Sequence, residues 1–172
     1  MKIPLKLRHL TTAAMLSLAV LGIVHDRADA WSGPWLVEAI PGSGGWAEAH
    51  GRGTNFDTAI IVKCSADLAG IGITVRDYRG GGLDKHNGAR DAVEFVIVSG
   101  EGNTERFHTG LRFDEDDDEW RTDGYDMPLS FLDAFARGTT MWLNGNKEEE
   151  VDAFTLKGSA AAARTMRATC WN

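Results

Sequence analysis

Short β-forming segments separated by turn residues dominate the chain after its first thirty residues, and this pattern restricts the fold most. Residues 58–64 (TAIIVKC) are rich in β-branched side chains, and in residues 70–78 (GIGITVRDY) every second residue is apolar at Ile71, Ile73 and Val75. Such runs predict strands. The same criteria predict further strands at residues 35–39, 46–50, 92–99, 104–113, 139–143 and 151–156.

Two short helices interrupt the predicted strands. Pro128 suits the first turn of one helix, with Asp126 as a possible cap and Gly138 where the helix should end. The second is expected to begin at Ser159, a candidate N-cap, and to run through the alanines at 160–163 to residue 168. The expected fold is mainly β or α+β: an antiparallel β-sandwich or open barrel with both helices at one side.

The first thirty residues are typical of a secretory signal peptide. Basic residues precede an apolar run at 13–24, and the small residues at 28–30 predict cleavage between Ala30 and Trp31. The run is shorter than the ~20 residues that a membrane span needs. Residues 31–172 are therefore expected to form one globular domain. No cysteine lies near the leader to carry a lipid anchor, so we expect a soluble periplasmic or secreted protein without stable membrane insertion.

The charge of the mature chain restricts its partners. The leader holds four basic and two acidic residues, so its removal changes the formal net charge from −7 to −9. A chain this acidic should not bind nucleic acid or anionic lipid through its overall field. It favours a basic partner, in a weak interaction that depends strongly on salt.

Cys64 and Cys170 are the two cysteines of the chain. An even count in an oxidising compartment predicts a disulfide between them. The bond would fasten the last helix to a core strand. The pair lacks the C-x-x-C spacing of a redox-active site.

An acidic run, Asp114–Glu119, is the first candidate for a contact surface. As a calcium loop it fails at position 6, which is Glu119 rather than glycine, and at position 12, which is Tyr125 rather than glutamate. We expect a solvated loop between strands, with Asp116 and Asp117 as possible contacts for a partner.

A glycine-rich stretch and a tryptophan supply the remaining candidates. Residues 79–88 predict a long mobile loop that contacts a partner through Arg79, Lys85 and His86. Among six tryptophans, Trp120 lies between charged residues and is expected to face solvent and meet a ligand. The histidines form no metal-binding motif, and no nucleophile, carboxylate pair or cofactor motif stands out. We therefore predict no catalytic residues, no metal and no cofactor.

The C-terminal part of the chain has a recognisable order of motifs. The motifs there are WRTDGY at 120–125, PLSFL at 128–132, TMWL at 140–143, FTLKGS at 154–159 and RATCW at 167–171. They are preceded by IIVKC at 60–64, which belongs to the same pattern. Over residues 58–171 this order resembles the VasI/TagO-like periplasmic proteins associated with type VI secretion, and it is similar to the invasion-associated locus B family. The resemblance implies an exported β-rich domain with one disulfide and no known catalytic residues.

These features predict a non-enzymatic exported protein that binds another protein or an envelope component. One alternative is an inhibitor or immunity protein that caps a basic enzyme such as a lysozyme. Others are a hydrolase that acts on the cell wall and a module that binds glycans through exposed tryptophans. The sequence leaves the oligomeric state open.

Overall fold

The computed structural model describes residues 34–42, 44–54, 58–145 and 150–171. The predicted leader and its cleavage site at Ala30 and Trp31 lie outside this part of the chain. The elements, in chain order, are β1 (Leu36–Ile40), β2 (Trp46–Arg52), β3 (Ala59–Ser65), β4 (Gly72–Arg76), β5 (Arg90–Ser99), β6 (Thr104–Asp114), β7 (Glu119–Arg121), α1 (Leu129–Arg137), β8 (Gly138–Asn144), β9 (Glu150–Thr155) and α2 (Ser159–Cys170).

The strands form one antiparallel sheet in the order β1-β2-β3-β4-β7-β6-β5-β8-β9. The sheet curls into a half-barrel. The predicted fold class is confirmed, and of its two forms the molecule adopts the open barrel, because one sheet rather than two encloses the core.

The two edges of the sheet approach each other. Gly53, just after β2, bridges to Phe154 of β9, and the Thr54 amide donates to the Ala153 carbonyl at 2.7 Å. Ahead of β1, the Trp35 amide donates to the Lys157 carbonyl at 3.2 Å. These bonds fasten β9 and the residues just after it to the beginning of the sheet and give partners to backbone groups near both of its edges.

The concave inner face carries the core. In β3 the residues Ile60, Val62 and Cys64 point inward and are fully or almost fully buried, as the period of two in a strand requires. Phe131 of α1 packs edge-on against Phe95 of β5 and Phe107 of β6, with ring centroids 5.7 and 5.3 Å apart. The helix therefore closes the apolar concavity.

α2 packs on α1 and on β1 to β3. Ala162, Met166 and Cys170 lie on its buried side, and small alanines let the helix backbone come close to the sheet. Cys170 is bonded to Cys64 of β3, with the two Cα atoms 6.2 Å apart. The predicted disulfide and its placement between the last helix and a core strand are confirmed.

Both predicted helix caps are wrong. Pro128 occupies the N-cap of α1, and the Asp126 carboxylate instead accepts a hydrogen bond from the Thr109 hydroxyl at 3.2 Å. In α2, Ser159 is the first helical residue and Gly158 is the N-cap, with φ +91°. A Cβ at Gly158 would lie 2.8 Å from the side chain of Pro34. Glycine is therefore required there for both conformation and space. No helix among the described residues is long and apolar enough to cross a membrane.

Candidate functional site

A trough of about 1020 Å³, lined by both apolar and polar groups, crosses the outer, convex face of the sheet over β5, β6 and the end of β8. Residues that lie opposite one another on neighbouring strands form rows across the trough. Glu94 of β5 lies between His108 of β6 and Asn144 of β8, and the next row along β5 pairs Ala92 with Gly110. Two other hollows on this face, of about 270 and 250 Å³, are much smaller. The trough therefore has the largest volume of these three hollows.

Glu94 is the centre of the trough's hydrogen bonding. Its carboxylate accepts from Arg106 at 2.7 Å and from the Asn144 amide at 3.4 Å, and it lies 3.5 Å from His108 Nε2. The hydrogen bond from Arg106 is the largest influence, and it lowers the pKa of Glu94 below its usual value. Glu94 is thus an ionised acceptor at neutral pH. This is the state needed for binding donors, whereas a general acid needs its proton.

Small residues form the floor of the trough. Ala92 and Gly110 face each other across β5 and β6, and a Cβ added at Gly110 would meet no atom within 4 Å. The space above the two strands is therefore open. One row beyond Glu94, Arg106 and Trp142 flank Val96 on the same face, and Trp142 is half-buried.

A row of arginines adjoins the trough. Arg90, Arg112 and Arg121 lie directly opposite one another on β5, β6 and β7. Like charges in that arrangement are destabilising. Asp123 offsets the first two, contacting Arg90 and lying 3.2 Å from Arg112 Nε, and Asp114 contacts Arg121. Two carboxylates therefore offset most of the charge of the three guanidinium groups.

The expectation that Trp120 faces solvent is wrong. Trp120 lies on β7, opposite Val75 on β4 and Phe113 on β6, and it has no exposed surface. Its charged neighbours Glu119 and Arg121 occupy the other face of the strand, because successive side chains alternate. Trp120 is a core residue and cannot meet a ligand.

The glycine-rich stretch forms a cover loop, residues 77–89, over one end of the interior. Tyr78 and Leu83 point inward and are buried. The Trp120 indole donates to the Asp84 carbonyl at 2.9 Å, and the Asp84 amide donates to the Asp91 carboxylate at 2.7 Å. These bonds fasten the middle of the loop to the sheet.

The predicted contacts of the cover loop point outward. Arg79 and His86 are exposed. His86 Nδ1 pairs with the Asp84 carboxylate, and this hydrogen bond raises the pKa of His86 and lowers that of Asp84. The Lys85 ammonium lies over the Trp120 ring, 5.1 Å from its centroid, and makes a cation–π contact with the buried indole. None of these three residues lines the trough.

The acidic run forms a hairpin turn between β6 and β7. The prediction of a solvated loop holds for its centre, whereas Glu119 lies on β7, is buried and pairs with Arg76 at 2.6 Å. The four central residues of the run, Glu115 to Asp118, are all exposed, including the predicted contacts Asp116 and Asp117. Asp117 lies 3.7 Å from Arg121. Within the described ranges, no group of three or more His, Cys, Asp or Glu side chains is placed to hold a metal ion.

The polar residues of the trough were not identified from the sequence. A signal was present, because Ala92 and Glu94, and likewise Arg106, His108 and Gly110, recur at every second position of two predicted strands, and Arg90 continues the first set just ahead of its predicted strand. That alternation places each set on one face. Placing the two sets side by side also requires the register in which β5 pairs with β6, and the sequence alone does not give that register.

A scan against protein-family models and searches of the curated proteins and of the solved structures found no match to this chain. The resemblance to the VasI/TagO-like and invasion-associated locus B proteins stays a prediction.

Proposed function

We propose that the mature chain is an exported, non-enzymatic binding protein that holds another protein or an envelope component in the trough on the outer face of its sheet. The observation that carries this proposal is the trough itself, with its open floor at Gly110 and its charged and amide groups converging on Glu94. Binding sites on proteins commonly enclose about 300–1,000 Å³ and contain a few convergent polar groups.

The chemistry of the trough supports recognition. Arg106 and Glu94 neutralise each other, and Arg90 is paired with Asp123. Glu94 is held ionised by its donors, so it offers acceptor sites to a ligand. The signal-like leader and the disulfide are consistent with an oxidising compartment outside the cytoplasm.

Two glycine variants test the proposal. Gly110→Leu places a side chain in the open floor of the trough, whereas Gly100→Leu adds the same side chain at the β5–β6 turn, where a Cβ makes an ordinary 3.7 Å contact with Thr139. Tagged wild type and both variants would be crosslinked in the native envelope and captured at low and high salt. We expect one dominant partner with wild type and Gly100→Leu, and its loss with Gly110→Leu. Equal capture by all three proteins would refute the assignment of the trough.

A second candidate is the capping of a basic enzyme by the acidic hairpin turn. The observation that favours it is the exposure of four consecutive acidic side chains, Glu115 to Asp118, at the tip of the β6–β7 hairpin. Such a tip attracts a basic cleft most strongly at low salt. The assay is inhibition of several lysozymes at low ionic strength, with Asp116→Asn/Asp117→Asn as the variant. Lysozyme activity unchanged by wild type would remove this candidate in its simplest form.

A further inference from the structure

The shape of the trough points to an extended ligand. Its floor is the Ala92–Gly110 row, where no side chain rises above the strands, and polar side chains stand on either side. The hollow is open along the sheet rather than enclosed. A chain molecule can therefore lie along β5 and β6, from the Ala92–Gly110 row past Glu94 toward Arg106 and Trp142, with its ends in solvent.

The charge of the trough disfavours an ionic ligand. Glu94 is within 2.7 Å of Arg106, and Arg90 pairs with Asp123 at the rim. An anionic ligand would have to compete with Glu94 and Asp123 for the guanidinium groups, and a cationic one would have to compete with Arg106 for Glu94. An uncharged ligand avoids both penalties and still gains hydrogen bonds to charged groups, which are stronger than neutral ones.

The hydrogen-bonding groups suit hydroxyls. A carboxylate has about four acceptor sites, an amide both donates and accepts, and a guanidinium has five donors. Glu94, Asn144 and Arg106 bring all three types together within one cluster. A hydroxyl both donates and accepts, so neighbouring hydroxyls on a ring can engage these groups in either direction.

An aromatic side chain lies beside this cluster, just outside the residues that line the trough. Trp142 is two residues before Asn144 on β8 and therefore shares its face, about 7 Å along the strand. Its partner on the neighbouring strand β9 is Ala153, so the residue beside the indole on that strand is small. A half-buried indole offers an apolar surface with a polar edge, on which the apolar face of a sugar ring can lie.

We infer that the trough binds an uncharged, hydroxyl-rich oligosaccharide, with Glu94, Asn144 and Arg106 holding its hydroxyls and Trp142 stacking on a neighbouring ring. This inference rests on the proposed function and names the chemical class of the envelope component.

Calorimetric titration of the purified mature protein with uncharged tetrasaccharides tests the inference. The probes are chitotetraose, cellotetraose and maltotetraose, with a tetramer of galacturonic acid as the charged comparison. We expect at least one uncharged probe to bind, and Trp142→Ala to weaken it about tenfold or more. Gly110→Leu should abolish binding. Trp46→Ala, at another half-buried tryptophan on the outer face of β2, and Gly100→Leu should bind as wild type does.

Each other result counts against the inference. It is overturned if no uncharged probe binds at about 1 mM, if the acidic tetramer binds more tightly, or if Trp142→Ala and Gly110→Leu both bind as wild type does. Unfolding midpoints of the variants separate loss of binding from loss of fold, and a Cβ at Gly110 would meet no atom within 4 Å. Envelope capture gives the separate outcome for the proposed function. A protein partner lost with Gly110→Leu, without oligosaccharide binding, would keep that function and reject this ligand.

Discussion

The two faces of the sheet differ in how firmly their buried or partly buried carboxylates are held by hydrogen bonds. On the inner face, Asp152 is fully buried, and its carboxylate accepts from the Thr58 and Ala153 amides at 3.1 and 2.7 Å. On the outer face, Glu94 is equally rich in partners, but they are long side chains at the surface, and 20% of it remains exposed. A buried carboxylate is tied to backbone and holds the fold, whereas a surface carboxylate among side chains can exchange its partners for a ligand. The comparison therefore assigns stability to the inner face and agrees with the recognition that we propose for the outer face.

The largest effect should come from removing the covalent link on the inner face. In the chain-entropy model, the Cys64–Cys170 bond, with a sequence separation of 106 residues, contributes about 4–5 kcal/mol as an upper bound. We expect Cys64→Ala/Cys170→Ala to lower the free energy of unfolding by several kcal/mol in a urea titration. Wild type with its disulfide reduced serves as the control and should unfold at nearly the same midpoint as the variant. An unchanged midpoint in the variant would show that packing alone fixes α2.

Two tryptophans give the next comparison. Trp120→Ala removes a fully buried ring that contacts Phe113 and Tyr78, with centroids 4.8 and 5.8 Å away, and should cost about 3–5 kcal/mol. Trp142→Ala on the outer face should cost less than about 1 kcal/mol. Chemical denaturation of the two variants measures both values. Similar losses in the two would contradict the division between the faces.

The two carboxylates are expected to differ by less. Asp152→Ala leaves the Thr58 amide without this buried acceptor and should destabilise the fold by about 1–3 kcal/mol. Glu94→Ala, which removes a partly exposed ion pair with Arg106, should cost no more than about 1 kcal/mol. Thermal unfolding at neutral pH distinguishes them. The comparison fails if Glu94→Ala is the more destabilised of the two.

The inner face was largely predictable, because local sequence encodes it. Periodic apolar residues located eight strands and both helices, and the two cysteines gave the disulfide. β7 was missed because it has only three residues, at the end of an acidic run. That omission also caused the error at Trp120. Once residues 119–121 are a strand, the charged neighbours belong to the opposite face and the indole turns inward.

The outer face was not predictable in the same way. Its trough depends on β5 pairing with both β6 and β8, and β8 follows only after β7 and α1. Pairing across such a distance in the sequence is decided by the packing of the whole sheet, which no local pattern reports. Gly110 illustrates this, since its role appears only when Ala92 is placed opposite it.

The smallest effect concerns the exposed pair on the cover loop. The hydrogen bond to Asp84 raises the pKa of His86 from its usual value of 6.5, and hydrogen bonds from His86 lower the pKa of Asp84 from 3.8. The His86 contribution is complete below pH 6.5 and is lost as the pH rises through the raised value. The Asp84 contribution is complete above pH 3.8 and is lost as the pH falls through the lowered value. The pair is therefore fully formed between these two pH values, and both groups are at the surface, so the stability of the fold should hardly change outside that window.

An NMR titration of His86 in wild type and in Asp84→Asn measures the pair directly, with the pKa of His86 expected to return toward 6.5 in the variant. If His86 titrates at the same pH in both proteins, the pair does not form in solution, and the cover loop is held without it, by its buried residues Tyr78 and Leu83 and by bonds that include those to Trp120 and Asp91.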